Sequence, residues 1–233
     1  MQQILKDGFE ALGLKLTEEM SGRFRKYYEC LTEKNAVMNL TAIEGEADTA
    51  RLHFLDCAAL CSVYDFSGKS VIDVGTGAGF PGLPLKIAMP GISLTLLDSH
   101  KKRMAFLGET CRTLGFADTR CISERAEEAA FDIGGSFDIA VSRAVARLNI
   151  LCELCLPFVH VGGVFVAMKG PDCADELREA LKAISVLGGG GSEIKKYTIP
   201  GTDITHSAVI IKKVRPTPPD YPRQFGRIKK APL

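Results

Sequence analysis

Residues 70–82 carry a short apolar strand, an acidic residue and three alternating glycines, followed by the expected start of a helix. Gly75, Gly77 and Gly79 allow a sharp turn and a close approach of the backbone to a ligand, because glycine has no Cβ. A strand that leads through such a loop into a helix points free N–H groups into a crevice at the carboxyl edge of a sheet. The segment therefore predicts an α/β sheet with a nucleotide-like cofactor at its edge.

The spacing within this loop distinguishes between three kinds of cofactor site. A dinucleotide fingerprint requires glycine where the chain has Phe80, and a phosphate-binding P-loop requires Lys-Ser/Thr where it has Leu83-Pro84. What remains is the pattern D-x-G-x-G-x-G from Asp73 to Gly79. This pattern looks like the first motif of S-adenosylmethionine-dependent methyltransferases.

A second acidic residue supports this interpretation. Asp98 ends a strand-like run that begins at Ser93, and it follows the loop by about 20 residues, the interval at which a carboxylate meets a ribose diol. The alternative is a helix cap, because Asp98 also precedes the helical stretch that begins near Lys101. We favour the ribose contact because of the spacing.

Beyond residue 70 the hydrophobic pattern alternates between strand and helix. Helical stretches begin near residues 80, 101, 127 and 147, and β-rich runs cover residues 71–74, 94–97, 119–122, 137–141, 164–168, 193–199 and 206–214. This alternation predicts an α/β fold with a doubly wound, mostly parallel seven-stranded sheet and an N-terminal helical extension.

The last two strands are expected to differ from the others. The turn at 200–203 is too short for a parallel crossover, so they should form an antiparallel pair at one edge. The four glycines at 188–191 are interpreted as a flexible connector before the penultimate strand.

Three parts of the chain are distinguished by their patterns. Residues 1–65 form the helical extension, in which Thr17 should cap a helix that runs to Lys34. Residues 66–215 form the predicted methyltransferase domain, and residues 216–233 form a basic C-terminal tail. From residue 212 onward, seven Lys and Arg stand against the single Asp220. Such a concentration suits contacts with nucleic-acid phosphates, although a basic run of this kind is as often a solvated tail.

Composition excludes several classes of protein. With 29 basic and 28 acidic residues the net charge is +1, which excludes a uniformly basic nucleic-acid binder but allows a local patch. The most apolar region, residues 148–168, is interrupted by polar residues and a proline, so it does not predict a membrane span. The first residues lack the apolar stretch of a signal peptide. We therefore expect a cytoplasmic protein without membrane contact. A monomer is the expected oligomeric state, although these patterns do not determine it.

The eight cysteines are interpreted as reduced core thiols, because they are dispersed over helix and strand patterns. Cys152 and Cys155 have the spacing of a metal or redox pair, but no second Cys or His pair lies at ligand distance in the sequence. We expect no metal site.

Together, five motifs resemble the ribosomal RNA small-subunit methyltransferase G family, also called glucose-inhibited division protein B. The motifs are Asp73-Val-Gly-Thr-Gly-Ala-Gly-Phe-Pro-Gly82, Leu97-Asp98-Ser99-x-x-Lys102-Arg103, Arg125-Ala126-Glu127, Ser142-Arg143-Ala144-Val-Ala-Arg147 and Asn39-Leu40-Thr41. The resemblance covers nearly the whole chain. It implies transfer of a methyl group from S-adenosylmethionine to N7 of one guanine in 16S ribosomal RNA, either as free RNA or in the small ribosomal subunit.

The resemblance also implies a set of cofactor-binding residues. They are Gly75, Phe80, Ala126, Glu127 and Arg143, with Asp98 in the ribose-facing place. For Glu127 and Arg143 an ordinary ion pair is the alternative that the residues alone suggest. In the tail, Ile228 stands where the family pattern has a proline, so we expect a change in the local conformation.

The chemistry that the resemblance implies places few demands on side chains. The end of the fourth strand has neither an Asn/Asp-Pro-Pro motif nor a cysteine nucleophile. Guanine N7 requires neither, because its lone pair is nucleophilic and no proton must leave, so we expect no general base. Asn39, His53 and Arg147 are weaker candidates for substrate contacts. Methylation of another RNA or of a small molecule, and a cofactor- or RNA-binding module without turnover, remain as alternatives.

Overall fold

The computed structural model describes residues 1–143 and 146–233. Within them a seven-stranded sheet consists of β1 (Ser70–Val74), β2 (Ser93–Leu97), β3 (Arg120–Ile122), β4 (Phe137–Arg143), β5 (Val159–Lys169), β6 (Gly189–Thr198) and β7 (Thr205–Lys213). The strand order is β3-β2-β1-β4-β5-β7-β6; β7 is antiparallel to both neighbours, and the other pairs are parallel. The predicted sheet with its antiparallel edge pair is confirmed.

Helices cover both faces of this sheet. They are α1 (Gln2–Ala11), α2 (Glu18–Met38), α3 (Glu46–Asp48), α4 (Asp56–Ala58), α5 (Leu60–Val63), α6 (Gly82–Ala88), α7 (Lys101–Thr113), α8 (Ala126–Ile133), α9 (Leu148–Cys155), α10 (Ala174–Val186) and α11 (Phe225–Lys230). A π-helical segment, Thr49–Leu55, joins α3 to α4. The predicted cap of α2 is present, because Thr17 Oγ1 accepts a hydrogen bond from the Met20 N–H at 3.2 Å.

Side-chain alternation along the strands divides the core into two apolar clusters. Val71 belongs to the first cluster and its neighbour Ile72 to the second, since successive side chains of a strand point to opposite faces. Helices α1, α2, α6 and α7 pack in the first cluster, and α8 to α11 pack in the second. Because both faces are covered, the parallel strands consist of nearly continuous apolar residues.

The N-terminal helices contact the glycine loop directly. The Tyr27 ring of α2 lies 5.3 Å from the Phe54 ring and 5.6 Å from the Phe80 ring, as measured between centroids. The Tyr27 hydroxyl donates to the carbonyl oxygen of Ala78 at 2.7 Å. The extension thus fixes the position of the loop, while the division of the chain at residue 65 stays a prediction.

The interpretation of residues 188–191 as a flexible connector is wrong. Gly189 begins β6, and the Gly188 carbonyl accepts hydrogen bonds from the N–H groups of Val214 (2.9 Å) and Arg215 (3.0 Å). A Cβ on Gly188 would lie 2.2 Å from the Arg215 carbonyl oxygen, and φ is +82° at this position. Gly188 is therefore required for close backbone packing at the edge of the sheet, and the segment belongs to the ordered β6 edge rather than to a flexible connector.

Two further features bear on the class of protein. Among the helices of the described residues, none combines the length and the apolar character that a membrane span requires. All eight cysteines are free thiols, and five of them are buried.

Candidate functional site

The residues predicted to bind the cofactor all line one cavity. This first cavity has a volume of about 530 Å³ and lies at the carboxyl ends of β1, β2 and β4. Gly75, Phe80, Asp98, Ala126, Glu127 and Arg143 are among its lining residues. The fold therefore gathers four separate sequence motifs around one space of the size usual for small-molecule sites.

The glycine loop forms one wall of the first cavity. The N–H groups of Gly75 and Thr76 donate to the Leu97 carbonyl at 2.8 and 3.1 Å, which fixes the loop to the end of β2. Gly79 adopts φ +108°, and a Cβ there would lie 2.6 Å from the Tyr27 hydroxyl oxygen. Only glycine permits the loop to pack this closely beneath α2.

Asp73, the acidic residue of the loop motif, holds the two ends of the loop together through hydrogen bonds. Its side chain is fully buried, and Oδ2 accepts hydrogen bonds from Thr76 Oγ1 at 2.6 Å and from the Gly82 N–H at 2.8 Å. Oδ1 is buried without a hydrogen-bond partner among the described residues. Burial raises the pKa of Asp73 from its ordinary value of 3.8 to about 7. Asp73 therefore sets the shape of the loop.

Asp98 connects the glycine loop to the end of β2. Its Oδ2 accepts from the Gly77 N–H at 3.0 Å, and its Oδ1 accepts from the His100 N–H at 2.8 Å. Helix α7 begins at Lys101 with His100 as its N-cap, so Asp98 is not the cap residue. Its carboxylate lines the cavity, where it can accept hydrogen bonds from a ribose diol.

Phe80, His53 and Arg143 form a stacked group at the opposite end of the first cavity. The His53 and Phe80 rings lie 4.3 Å apart between centroids, and the Arg143 guanidinium carbon lies 4.7 Å from the centroid of the Phe80 ring. Arg143 Nη2 is 2.9 Å from His53 Nδ1, and His53 Nε2 is 2.7 Å from Thr41 Oγ1. Phe80 thus supplies a covered aromatic surface, and His53, one of the weaker sequence candidates, joins the predicted residues.

His53 is held in its neutral form. Burial, followed by the nearby Arg143 charge, lowers the pKa of His53 from 6.5 to about 3. A neutral ring that accepts at Nδ1 from Arg143 carries its proton on Nε2, from where it donates to Thr41. Both ring nitrogens are therefore occupied.

A buried carboxylate holds Arg143 in place. Asp56 Oδ2 lies 3.3 Å from Arg143 Nη1, and Asp56 Oδ1 accepts from the Tyr197 hydroxyl at 3.1 Å and from His206 Nδ1 at 2.8 Å. The hydrogen bond with Asp56 raises the pKa of His206 above 6.5. Arg143 thus forms the ion pair that was the alternative to cofactor binding, and it lines the cavity as well. No sequence signal pointed to this group, because Asp56 is 141 residues from Tyr197 and 150 residues from His206 in the chain.

Ala126 and Glu127 start helix α8 at the far side of the first cavity. Glu127 Oε1 accepts from Arg125 Nε at 2.9 Å and from the Phe225 N–H at 3.3 Å. Phe225 belongs to the C-terminal segment, and its side chain also lines the cavity. Like Arg143, Glu127 forms an ion pair, here with Arg125, and also lines the cavity. The sequence pattern singled out Phe225 only as an aromatic residue among the basic residues of the tail, suited to stacking on a base. It did not indicate that Phe225 lines the first cavity, because Phe225 and Glu127 are 98 residues apart in the chain.

The C-terminal segment packs firmly on the sheet domain. Arg223 Nε and Nη2 donate to the two carboxylate oxygens of Glu153 at 2.8 and 2.6 Å, and Glu153 is completely buried. Ile228, at the position where a proline was expected, is fully buried in the second apolar cluster. Lys213 Nζ donates to the carbonyls of Leu156 and Leu187, both at 2.8 Å. Two of the basic residues from residue 212 onward, Lys213 at the end of β7 and Arg223 in the tail, therefore make structural contacts.

The remaining basic residues of this segment are exposed, as are two sequence candidates for substrate contacts. Arg227, Lys229 and Lys230 project from α11. Asn39 is exposed at the end of α2, and Arg147 forms an exposed ion pair with Glu179; neither lines the first cavity. Ala144 and Val145, which belong to the motif that follows Arg143, lie outside the described residues.

The chemistry of this lining fits S-adenosylmethionine. The lining includes two carboxylates, Asp98 and Glu127, which can accept hydrogen bonds from a ribose diol and from an adenine amino group. Arg143 supplies a guanidinium for a carboxylate, and Phe80 supplies an apolar face. In the described residues no group of three or more His, Cys, Asp or Glu side chains has a geometry that could hold a metal ion.

Comparison with known sequences gives consistent matches over the whole chain. The family model described as rRNA small subunit methyltransferase G matches residues 20–204. Ribosomal RNA small subunit methyltransferase G of Alkaliphilus oremlandii is 48% identical over 236 residues, which cover 100% of this chain and 99% of the relative. The protein of the same name from Clostridium perfringens is 41% identical over 233 residues, with 99% and 98% covered.

Comparison with solved structures shows the fold. An O-methyltransferase from Bacillus cereus, solved in complex with S-adenosylhomocysteine, is similar with a TM-score of 0.57 and 15% identity, over 81% of this chain and 91% of that chain. TYW2 from M. jannaschii, solved in complex with AdoMet, is similar with a TM-score of 0.55 and 14% identity, over 74% and 80% of the two chains.

Proposed function

Because the chain belongs to the rRNA small subunit methyltransferase G family, whose members use S-adenosylmethionine, we propose that it transfers a methyl group from this cofactor to N7 of one guanine in 16S ribosomal RNA. One observation carries the proposal on the structural side. The residues that the family resemblance assigns to the cofactor, which come from four separate motifs, line a single cavity at the carboxyl edge of the sheet.

We assign the nucleoside end of the cofactor to the part of the first cavity between β2 and α8. Asp98 accepts hydrogen bonds from the ribose hydroxyls, and its own bonds to the Gly77 and His100 N–H groups keep the carboxylate in place. Glu127 and the Ala126 backbone face the adenine edge. Phe225 covers the same end, and its N–H bond to Glu127 orients the carboxylate.

The amino-acid end of the cofactor is assigned to Phe80 and Arg143. When bound, S-adenosylmethionine supplies a methyl group on a positively charged sulfur. Arg143 is restrained by Asp56 and His53, so its guanidinium can bind a carboxylate with little further loss of side-chain freedom. Phe80 is nearly buried and excludes water from this end.

The environment of the ionisable groups supports a reaction without a general base. His53 is neutral, but both of its nitrogens are occupied by Arg143 and Thr41. The oxygens of Asp56 are taken by Arg143, Tyr197 and His206. Guanine N7 needs no proton removed, so the residues around the cavity act by positioning.

The RNA side of the proposal rests on the exposed basic residues. Arg227, Lys229 and Lys230 lie on α11, directly after Phe225, where they can contact phosphates near the cofactor. We propose that the substrate is 16S ribosomal RNA, free or in the small subunit, that the protein acts in the cytoplasm, and that it acts as a monomer. We also retain the division into a helical extension, a methyltransferase domain and a basic tail from residue 216.

Two measurements on the purified protein test this function. Binding of S-adenosylhomocysteine is measured by calorimetry, and transfer of labelled methyl from S-adenosylmethionine is measured with small subunits from a strain that lacks the gene. We expect both. Binding without transfer to small subunits, to free 16S RNA or to other RNA would contradict the enzymatic function and leave a cofactor-binding module.

A further inference from the structure

A second cavity lies beside the first, at the carboxyl ends of β4 and β5 and the turn between β6 and β7. Its volume is also about 530 Å³. The two cavities share His53 and Arg143, so each of these side chains forms part of the wall between them. Since a methyl group passes directly from sulfur to the acceptor atom, an acceptor site must adjoin the donor site, and the second cavity does so.

The walls of the second cavity are mainly apolar. They are supplied by Leu52, Met168, Ile199 and Ile204, together with the aliphatic side chain of Ile43. Ile204 is 41% exposed, so its apolar side chain is accessible to a ligand in this cavity. A flat, unstacked base would cover these side chains, as expected for an enzyme that performs chemistry on a base outside the helix stack.

The polar groups of the second cavity favour one base. Asp56 already accepts from Arg143, Tyr197 and His206, so it offers little to a base amino group. Arg143 Nη1 and Nη2 donate to Asp56 and His53, and the remaining N–H groups of Arg143 are those assigned to the cofactor carboxylate. Lys169, which also lines the second cavity, donates from Nζ to the Ala146 carbonyl at 2.8 Å and to Glu176 Oε1 at 2.7 Å. His206 Nδ1 donates to Asp56, and this hydrogen bond raises the pKa of His206 above 6.5, which favours the protonated ring. In the protonated ring Nε2 also carries a proton, so the half-exposed side chain offers Nε2 as a donor. A donor suits the O6 acceptor of guanine and disfavours adenine, which carries an amino group at that position.

The number of donors also matters for the reaction. An arginine that bonded guanine O6 and N7 together would occupy the N7 lone pair, which must attack the methyl group. A single donor at O6 leaves N7 free. We propose that the second cavity holds the acceptor guanine during methyl transfer, with His206 Nε2 donating to guanine O6. This inference rests on the proposed function, whose substrate base it locates.

Two kinds of substitution test the inference, with small subunits from a strain that lacks the gene as substrate. Ile204→Trp fills the cavity, and Leu181→Trp, at an exposed apolar residue of α10, is the matched control. His206→Asn keeps a donor near Asp56 but lacks the Nε2 group, whereas His206→Gln restores a donor at the Nε2 position. Rates of single-turnover transfer, dissociation constants of S-adenosylhomocysteine and melting temperatures are measured for each.

We expect Ile204→Trp to reduce transfer about 100-fold or more and Leu181→Trp to leave it unchanged. His206→Asn should reduce transfer about tenfold, in line with the loss of one base contact, and His206→Gln should recover part of that loss. Cofactor affinity should change less than about twofold in all four, since the donor cavity is intact.

Wild-type rates in Ile204→Trp and His206→Asn, with normal melting temperatures, would overturn the inference alone. If Ile204→Trp does not fold, the comparison of the two His206 variants decides by itself: equal rates overturn the inference, and a faster Gln variant supports it. A wild-type protein that methylates no guanine N7 would overturn the proposed function first, and the two failures are therefore distinguishable.

Discussion

Arg143 donates a hydrogen bond from Nη2 to Nδ1 of His53 over 2.9 Å, although the two residues are 90 positions apart in the chain. The bond joins the end of β4 to the π-helical segment, and both side chains pack against Phe80. Because the two residues also line both cavities, they define the boundary across which we propose that the methyl group passes.

Asp98→Ala should weaken binding of S-adenosylhomocysteine by about tenfold or more, because it removes the proposed ribose acceptor and the bond that holds the Gly77 N–H. Calorimetry on the purified protein measures this change. Asp172→Ala, at an exposed loop position, serves as the control and should bind normally. Equal affinity of both variants would contradict the assignment of Asp98.

Phe225→Ala should also weaken cofactor binding, by about tenfold, because the aromatic side chain covers one end of the first cavity. The matched control is Lys229→Ala with Lys230→Ala, which changes the exposed part of the same helix. The control should bind S-adenosylhomocysteine like the wild type. If the control and not Phe225→Ala loses affinity, the tail acts through its charge rather than through the cavity wall.

The basic face of α11 should contribute to RNA affinity. Replacing Arg227, Lys229 and Lys230 by Gln should weaken binding to 16S RNA and make it less dependent on salt, since each phosphate contact releases counterions. Filter binding over a range of salt concentrations measures both quantities. An unchanged salt dependence would show that this face does not contact phosphates.

Arg223→Ala should destabilise the protein by about 3–5 kcal/mol, because it leaves the completely buried Glu153 carboxylate without its partner. Urea denaturation measures the free energy of unfolding. Adding Glu153→Gln to Arg223→Ala removes the unpaired charge and should recover part of the loss. A single variant as stable as the wild type would contradict the role given to this ion pair.

His53 should make the folded protein sensitive to acid. Its pKa is about 3 in the folded state and about 6.5 when unfolded, so between these values the unfolded state binds more protons and stability falls as pH decreases. The wild type should lose up to about 1.4 kcal/mol per pH unit relative to His53→Asn in this window. Comparing the two proteins cancels the opposite contribution of Asp73, whose folded pKa is raised to about 7. A constant difference in stability from pH 7 to pH 4 would contradict a neutral, buried His53.

Local patterns were sufficient to predict the sheet, the glycine loop and the position of Asp98. Strand and helix periodicities, turn lengths and glycine spacing are properties of neighbouring residues, and each parallel strand leads directly into its helix. The residues that the family resemblance assigns to the cofactor lie together because each stands at or beyond the end of a parallel strand, and the carboxyl ends of parallel strands meet at one edge.

Contacts between distant segments could not be predicted in this way. Glu153 interrupts an apolar stretch in the sequence, and nothing local indicates that Arg223, 70 residues later, pairs with it. The run of glycines at 188–191 suggested flexibility. The sequence could not show that the backbone of Arg215, which is distant in the chain, packs against Gly188. The same limit applies to the bonds of Tyr197 and His206 with Asp56.

The most direct test of the central claim is to map modified bases in 16S ribosomal RNA from cells with and without the gene. Mass spectrometry of RNA fragments, combined with cleavage chemistry specific for 7-methylguanosine, identifies the position. We predict one guanine that carries an N7 methyl group in the wild type, lacks it in the deletion strain, and regains it when the gene, but not an Arg143→Ala version, is restored. Identical modification of 16S RNA in both strains would contradict the account.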